Sequence, residues 1–176
     1  DGVAVETTAG RIESKRVLLA MGLTEQLRLP PWIEGLPTCS VNHVGAPGFD
    51  IDDAAAWKHC VVVGGGMTAV QTAVSLANAG QGAVTLLSRG ATRCHDFDTD
   101  SEWIRPAGPE RLWSEPDFDR RRDMIEAGRS PGPVTADVEA SLKLAVGLGR
   151  LTHTLATVER AVTTTTGETQ LHIPGR

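Results

Sequence analysis

The chain has 176 residues, enough for one domain of ordinary size or one domain with part of another. Its formal net charge of −5 argues against a nucleic-acid-binding module, which is normally basic. No apolar run approaches membrane-spanning length, no signal peptide is recognisable, and three cysteines without a Cys-x-x-Cys pair fit a reducing compartment. The composition therefore predicts a cytoplasmic protein with neither a nucleic-acid nor a membrane partner.

The N-terminal residues are expected to form a β-hairpin and then a short buried strand. Residues 2–6 and 11–16 predict two strands around a turn at Thr8-Ala9-Gly10. The apolar residues 17–20 predict the buried strand, which runs into Met21-Gly22. This order of hairpin, apolar strand and Ala-x-Gly resembles the two-dinucleotide flavoproteins. These are the pyridine-nucleotide-dependent FAD oxidoreductases, which include flavin monooxygenases and disulfide reductase-like enzymes.

The resemblance implies how the chain is divided. In that family the Ala-Thr-Gly segment, here with Met21 in place of threonine, closes the FAD domain and leads into the NAD(P)H domain. Residues 1–56 would then be the C-terminal remnant of the FAD-domain hairpin and a connector. Residues 57–176 would be an NAD(P)-binding Rossmann-like domain, truncated at its C-terminal end. The chain is expected to be a fragment whose partner is the missing FAD-binding domain of the same polypeptide.

The connector is not expected to contain a long helix or a central strand. Residues 29–37 are rich in proline and glycine, which interrupt both kinds of element. The resembled family often has His-Ser in the segment that corresponds to His43-Val44, so His43 is either near a cofactor or an ordinary loop histidine. Residues 52–57 predict a short helix or turn before the next strand.

Residues 59–80 predict a strand, a glycine turn and a helix. The run Cys60-Val61-Val62-Val63 suits a strand buried on both faces of a parallel sheet. After Gly64-Gly65-Gly66, apolar residues recur at helical spacing, and Gly80 stands where a helix C-cap glycine is expected. The residues of that helical face are Val70, Ala73, Val74 and Ala77.

This segment carries the dinucleotide-binding pattern Gly64-x-Gly66-x-x-Ala69. The first glycine permits the tight turn, the second lets the backbone approach a pyrophosphate, and the small third residue keeps helix and strand close. Unpaired N–H groups at the helix N-terminus would face the phosphates. The predicted pyrophosphate site comprises Gly64, Gly65, Gly66, Met67, Thr68 and Ala69. A tight strand-to-helix turn without a ligand is the alternative.

The next strand, residues 83–88, is expected to end beside the adenosine ribose. NAD sites usually have Asp or Glu at this position, but this chain has Ser88 and Arg89, with Arg93 shortly after. A carboxylate would repel a 2′-phosphate, whereas a hydroxyl and a guanidinium would bind one. The pattern therefore favours NADP(H) over NAD(H), with Ser88, Arg89 and Arg93 as ligands. The alternative is that both arginines are solvated loop residues.

The remainder predicts an irregular stretch at 90–116, a charged helix at 118–127, and a helix from the N-cap Thr135 to about Gly147. Residues 151–155 predict a third parallel strand, and residues 158–173 predict two strands of a β-meander. The arginines of residues 120–122 are expected to form a solvated face. The alternative is that one of them helps to bind the 2′-phosphate. An acidic cluster in the irregular stretch lacks the spacing of a known metal loop, so no metal is expected there. Its members are His95, Asp96, Asp98, Asp100 and Glu102.

Together these patterns predict an α/β fold, with a Rossmann-like parallel sheet, flanking helices, a β-meander and the N-terminal β-hairpin remnant. The resemblance implies an NADP(H)-binding domain of an FAD-dependent, monooxygenase-like oxidoreductase that delivers hydride to flavin and acts on a small-molecule substrate. No residue stands out as catalytic. The alternative is a non-catalytic dinucleotide-binding regulatory or sensor module. A methyltransferase using S-adenosylmethionine is disfavoured because Ser88 replaces the expected acidic residue.

Overall fold

The N-terminal hairpin is present as predicted. The structure is a computed structural model that describes residues 2–18, 27–37, 40–80, 82–99, 101–129 and 132–175. Strand β1 (Val3–Thr7) pairs antiparallel with β2 (Gly10–Ser14), and the hairpin is exposed along its length. Val17 and Leu18 are not in a strand, so the strand prediction is wrong there. The rest of that strand and the Ala-Met-Gly segment after it lie outside the described residues.

The connector contains a 3-10 helix (Pro31–Ile33) and the short helix α1 (Ile51–Ala55). Asp50 begins α1, since its Oδ1 accepts a hydrogen bond of 2.9 Å from the Asp52 N–H. Phe49 and the buried Ala54 pack against the main core, so residues directly before position 57 contribute to it. The division of the chain at 56/57 stays a prediction.

The central unit consists of a strand, a helix and a second strand that is parallel to the first. Strand β3 (His59–Val63) leads into α2 (Met67–Ala79), which returns the chain to β4 (Ala83–Ser88), parallel to β3. Gly80 ends α2 in the left-handed conformation with φ 75°. The predicted order of strand, glycine turn and helix is confirmed. The burial predicted for the strand is wrong, because Val61 and Val63 are exposed and only Cys60 of β3 is buried.

Helix α2 covers the sheet with the apolar face that its spacing predicted. Val70 and Ala73 are fully buried, and Leu86 of β4 is buried beneath them in the same cluster. Val74 is only half-buried. The buried core residues are Ala54, Cys60, Val70, Ala73, Leu76, Ala77, Val84, Leu86, Val134, Val138, Leu142, Ala145 and Leu151. Removal of this apolar surface from water is the main stabilising term for the sheet and its helices.

Between β4 and α5 the chain forms two α-helices flanked by two short strands, here called the helical excursion. Strand β5 (Arg93–Cys94) leads to α3 (Ala107–Ser114) and α4 (Phe118–Gly128), and β6 (Pro133–Val134) then pairs parallel with β5. The predicted irregular stretch is therefore wrong over α3. Its prolines and glycine suggested a loop, but they lie at the N-terminus of α3, where backbone N–H groups have no helical partner in any case.

Helix α5 (Ala136–Gly147) and strand β7 (Leu151–Leu155) complete the parallel sheet, in the order β3-β4-β7. The third parallel strand and the Rossmann-like fold class are thus confirmed. The predicted meander is an antiparallel hairpin of β8 (Arg160–Thr163) and β9 (Thr169–His172). In the described part of the chain, no helix is both long and apolar enough to cross a membrane.

Candidate functional site

The glycine turn after β3 requires its first glycine. Gly64 has φ 150°, which side-chain-bearing residues rarely adopt, and a Cβ there would lie 2.8 Å from the Cβ of Ala69. The Gly64 N–H donates a 2.9 Å hydrogen bond to the carbonyl of Leu87 in β4. The turn is therefore held against the carboxyl end of the neighbouring strand, and Ala69 lies in close contact with it.

The N-terminus of α2 follows directly. Gly66 is the N-cap in an extended conformation, and no side chain caps the helix among the described residues. The first helical hydrogen bond runs from the Val70 N–H to the Gly66 carbonyl, at 3.1 Å. The preceding N–H groups, those of Met67, Thr68 and Ala69, lie at the positive end of the helix dipole. Such an end binds anions such as a pyrophosphate.

The second glycine of the pattern has a structural neighbour that the sequence did not indicate. A Cβ at Gly66 would lie 3.2 Å from the Cα of Gly132, which itself has φ 73°. Beyond it, the Thr135 hydroxyl contacts the Met67 sulfur at 3.7 Å. Thr135 is the N-cap residue of α5 as predicted, although its side chain does not cap that helix. The smallness of Gly66 thus serves main-chain packing as well as any ligand.

Ser88, at the end of β4, is 2 % exposed. Its hydroxyl lies 2.8 Å from the carbonyl oxygen of Gly90 and 2.8 Å from Nε2 of His153 on β7. The hydroxyl that the sequence assigned to a 2′-phosphate therefore has two partners within the chain. Burial lowers the pKa of His153, so this imidazole is neutral over a wider pH range than a free one.

The two predicted arginines lie on the same connection after β4. Arg89 is exposed and forms no ion pair within the described ranges, whereas Arg93 is an exposed residue of β5 opposite Pro133. The connection between them is tied to α5, because the Thr92 hydroxyl donates to Glu139 at 3.0 Å. The sequence did not indicate this hydrogen bond, nor the contacts that His153 makes with Ser88 and Gly132 makes with Gly66.

Glu139 also accepts a hydrogen bond of 2.7 Å from Lys143, one turn further along α5. The Lys143 hydrogen bond, followed by that of Thr92, lowers the pKa of the Glu139 carboxyl. The carboxylate thus stays charged, and bonded to Thr92, to a lower pH than an unperturbed glutamate would.

Other residues that the sequence singled out have local structural contacts. His43 accepts a 3.0 Å hydrogen bond on Nδ1 from the Gly45 N–H within its own loop. Arg121 donates to the main-chain carbonyls of Glu115 and Trp113 and packs between aromatic rings, so it is not solely a solvated residue. Among the described residues, no group of three or more His, Cys, Asp or Glu could hold a metal ion, and Asp100 lies outside them.

Comparison with known proteins assigns the family. The family model described as pyridine nucleotide-disulphide oxidoreductase matches residues 1–127. The chain belongs to this family. No curated protein matches the chain.

Two solved structures support the same fold. L-lysine 6-monooxygenase from Pseudomonas syringae is similar with a TM-score of 0.67 and 16 % sequence identity, over 98 % of this chain and 46 % of that one. A cadaverine monooxygenase from Erwinia amylovora, solved with bound FAD, gives a TM-score of 0.55 and 12 % identity, over 69 % of this chain and 31 % of that one. This chain therefore spans less than half of the length of either protein.

Proposed function

We propose that this chain is the NADP(H)-binding part of an FAD-dependent, monooxygenase-like oxidoreductase. The observation that carries the proposal is the glycine turn at Gly64 to Gly66, which leads into an uncapped helix N-terminus at the carboxyl edge of a parallel sheet. Ligands of open α/β sheets bind at this edge. Membership of the pyridine nucleotide-disulphide oxidoreductase family supports the same ligand class.

The residues present fit NADP(H). Main-chain N–H groups of the turn and of the first turn of α2 would bind the pyrophosphate, with Ala69 small enough to allow the close turn. Arg89, exposed and without an ion pair in the described part of the chain, would bind the 2′-phosphate, with Arg93 on the same connection. When bound, NADPH supplies a hydride to the flavin of FAD. The protein's part is to bind and orient the nucleotide.

FAD would be held by a further domain of the same polypeptide. The sequence contains one dinucleotide pattern, and the proposal assigns it to NADP(H). Residues 1–56 would belong to the FAD domain and its connector. The hairpin supports this, since Val5 and its cross-strand partner Ile12 are both exposed apolar residues on one face. The complete protein, and not this chain alone, would bind the small-molecule substrate, in the cytoplasm.

A binding titration of NADPH and NADH tests the proposal. The chain is expected to prefer NADPH, and Arg89→Ala is expected to weaken NADPH binding by about 10- to 100-fold, because a charge-assisted bond to phosphate is lost. NADH binding should change by less than about twofold. The control is Arg150→Ala: this exposed arginine precedes β7 at the opposite edge of the sheet, roughly 20 Å away along the strands.

The control variant removes the same charge but should leave both affinities unchanged. Equal binding of the two nucleotides, or equal losses in the Arg89 and Arg150 variants, would contradict the assignment of the 2′-phosphate to Arg89. Absence of any nucleotide binding would reduce the glycine pattern to a tight turn.

A further inference from the structure

Ser88 connects three segments at the carboxyl edge of the sheet. A Cβ on Gly65 would lie 3.2 Å from the Ser88 Cβ, so Ser88 packs directly against the glycine turn. The Ser88 hydroxyl is 2.8 Å from the Gly90 carbonyl and 2.8 Å from His153 Nε2, and its carbonyl accepts a 2.8 Å bond from the Ala156 N–H. The side chain thus touches both the turn after β3 and the turn after β4, and β7 supports it.

The hydrogen-bond directions follow from the chemistry of the groups. A hydroxyl has one proton, and the Gly90 carbonyl can only accept, so Ser88 donates to Gly90. His153 Nε2 must then carry a proton and donate to the Ser88 oxygen. Buried polar groups with all partners satisfied hold a single conformation, because breaking one bond leaves a buried group unpaired.

Arg89 lies between two residues that this network fixes. The carbonyl of Ser88 is bonded to Ala156, and the carbonyl of Gly90 is bonded to the Ser88 side chain. Gly90 itself has open space around it and would otherwise allow the chain to take other directions. The backbone from which the Arg89 side chain extends is therefore held on both sides.

Resting on the proposed NADP(H) function, we propose that Ser88 and His153 are positioning residues for the 2′-phosphate site, which act through Arg89 rather than by contact with the ligand. The pair orders the turn of residues 88–90 before the nucleotide arrives. The consequence is a specificity role: loss of the pair should weaken binding of nucleotides that carry a 2′-phosphate and spare those that lack it.

The test measures affinities for NADPH and NADH, and for the half-molecules adenosine 2′,5′-bisphosphate and AMP. Ser88→Ala keeps the Cβ against Gly65 and removes only the hydroxyl. His153→Leu removes the donor, while His153→Gln retains an amide N–H near the position of Nε2 and should rescue binding. We expect Ser88→Ala and His153→Leu each to weaken NADPH and bisphosphate binding by about 3- to 10-fold. NADH and AMP affinities should stay within about twofold.

The chain offers a matched control on the same strand. His59 Nε2 lies 3.1 Å from the Thr85 hydroxyl, a pair with the same chemistry three residues before Ser88 and on the other face of β4. His59→Leu and Thr85→Ala should leave the preference for NADPH unchanged. A thermal melt of every variant separates loss of the fold from loss of specificity.

Combination with Arg89→Ala decides the mechanism. If Ser88 acts through Arg89, adding Ser88→Ala to Arg89→Ala causes no further loss of NADPH affinity. A further loss similar to that of the single variant means that Ser88 contacts the phosphate itself, which overturns the inference. Unchanged specificity in Ser88→Ala and His153→Leu, with Arg89→Ala still impaired, also overturns it and leaves the proposed function standing. If Arg89→Ala has no effect on NADPH affinity, this inference and the assignment of the 2′-phosphate to Arg89 are both overturned, whereas nucleotide binding at the glycine turn is not.

Discussion

His153 shows how a single half-buried side chain can link stability to pH. It lies on β7 and donates to Ser88, and burial lowers its pKa below the usual value. In the unfolded chain the same imidazole takes up a proton at a higher pH. Protons therefore bind first to the unfolded state as the pH falls, and this favours unfolding.

The free energy of unfolding is accordingly expected to decrease as the pH is lowered. The contribution of His153 is fully present above the unfolded pKa of about 6.5 and is lost as the pH falls through the lower folded value. Urea denaturation between about pH 7.5 and about pH 5 measures this, and His153→Gln should flatten the profile in that window. The opposite slope, or an unchanged profile in the variant, would exclude His153 as the group responsible.

At the N-terminal ends of β3 and β4, the main chains of the two strands pack more closely than the sequence suggests. Gly82 precedes β4, and a Cβ at that position would collide with the main-chain carbonyl oxygens of Trp57 and Lys58. The next residue, Ala83, donates a 3.0 Å hydrogen bond to the same Lys58 carbonyl. A glycine therefore stands where β3 and β4 begin to pair, because the main chain at position 82 leaves no room for a side chain against the main chain of residues 57 and 58.

Gly82→Ala is therefore expected to destabilise the fold by about 1–3 kcal/mol, since main chain on both sides must shift to admit one methyl group. Gly90→Ala is the comparison, because a Cβ at Gly90 meets nothing within 4 Å and the expected change is within about 0.5 kcal/mol. Denaturant midpoints of the two variants give the answer. Equal midpoints would mean that the approach of Gly82 to Trp57 is looser than described.

At the scale of the whole molecule, the apolar residues fall into two groups. Leu86 is fully buried between α2 and the sheet, whereas Ile12 on the N-terminal hairpin is 59 % exposed. All described residues up to position 18 are exposed. A two-stranded hairpin alone is marginally stable in water. The stability of this chain thus resides in the parallel sheet and its helices.

Two truncations to alanine compare these groups. Leu86→Ala should lower the free energy of unfolding by about 2–5 kcal/mol, since it opens a cavity in a closed core. Ile12→Ala should change it by no more than about 0.5 kcal/mol. Urea titration of both variants tests the difference. A large effect of Ile12→Ala would show that the hairpin packs on the core in solution.

The sequence by itself determined the features that depend on neighbours along the chain. The β-branched run before Gly64, the helical spacing from Val70 to Ala77 and the capping glycine at Gly80 have local physical causes, and the structure confirms each element. Helix α3 is not predicted from the sequence, because proline and glycine usually interrupt a helix. Here they lie in its first turn, where a missing backbone N–H costs no helical hydrogen bond.

Only the tertiary structure decided which residues meet at the carboxyl edge of the sheet. Ser88 and His153 are 65 positions apart, and Gly66 packs on Gly132 from the far end of the helical excursion. Such pairs cannot be predicted from periodicity or spacing. Parallel strands are joined by long crossover connections, and the residues that meet depend on how those connections fold. The sequence thus indicated where Arg89 stands, and the folded sheet determined what holds the turn that carries it.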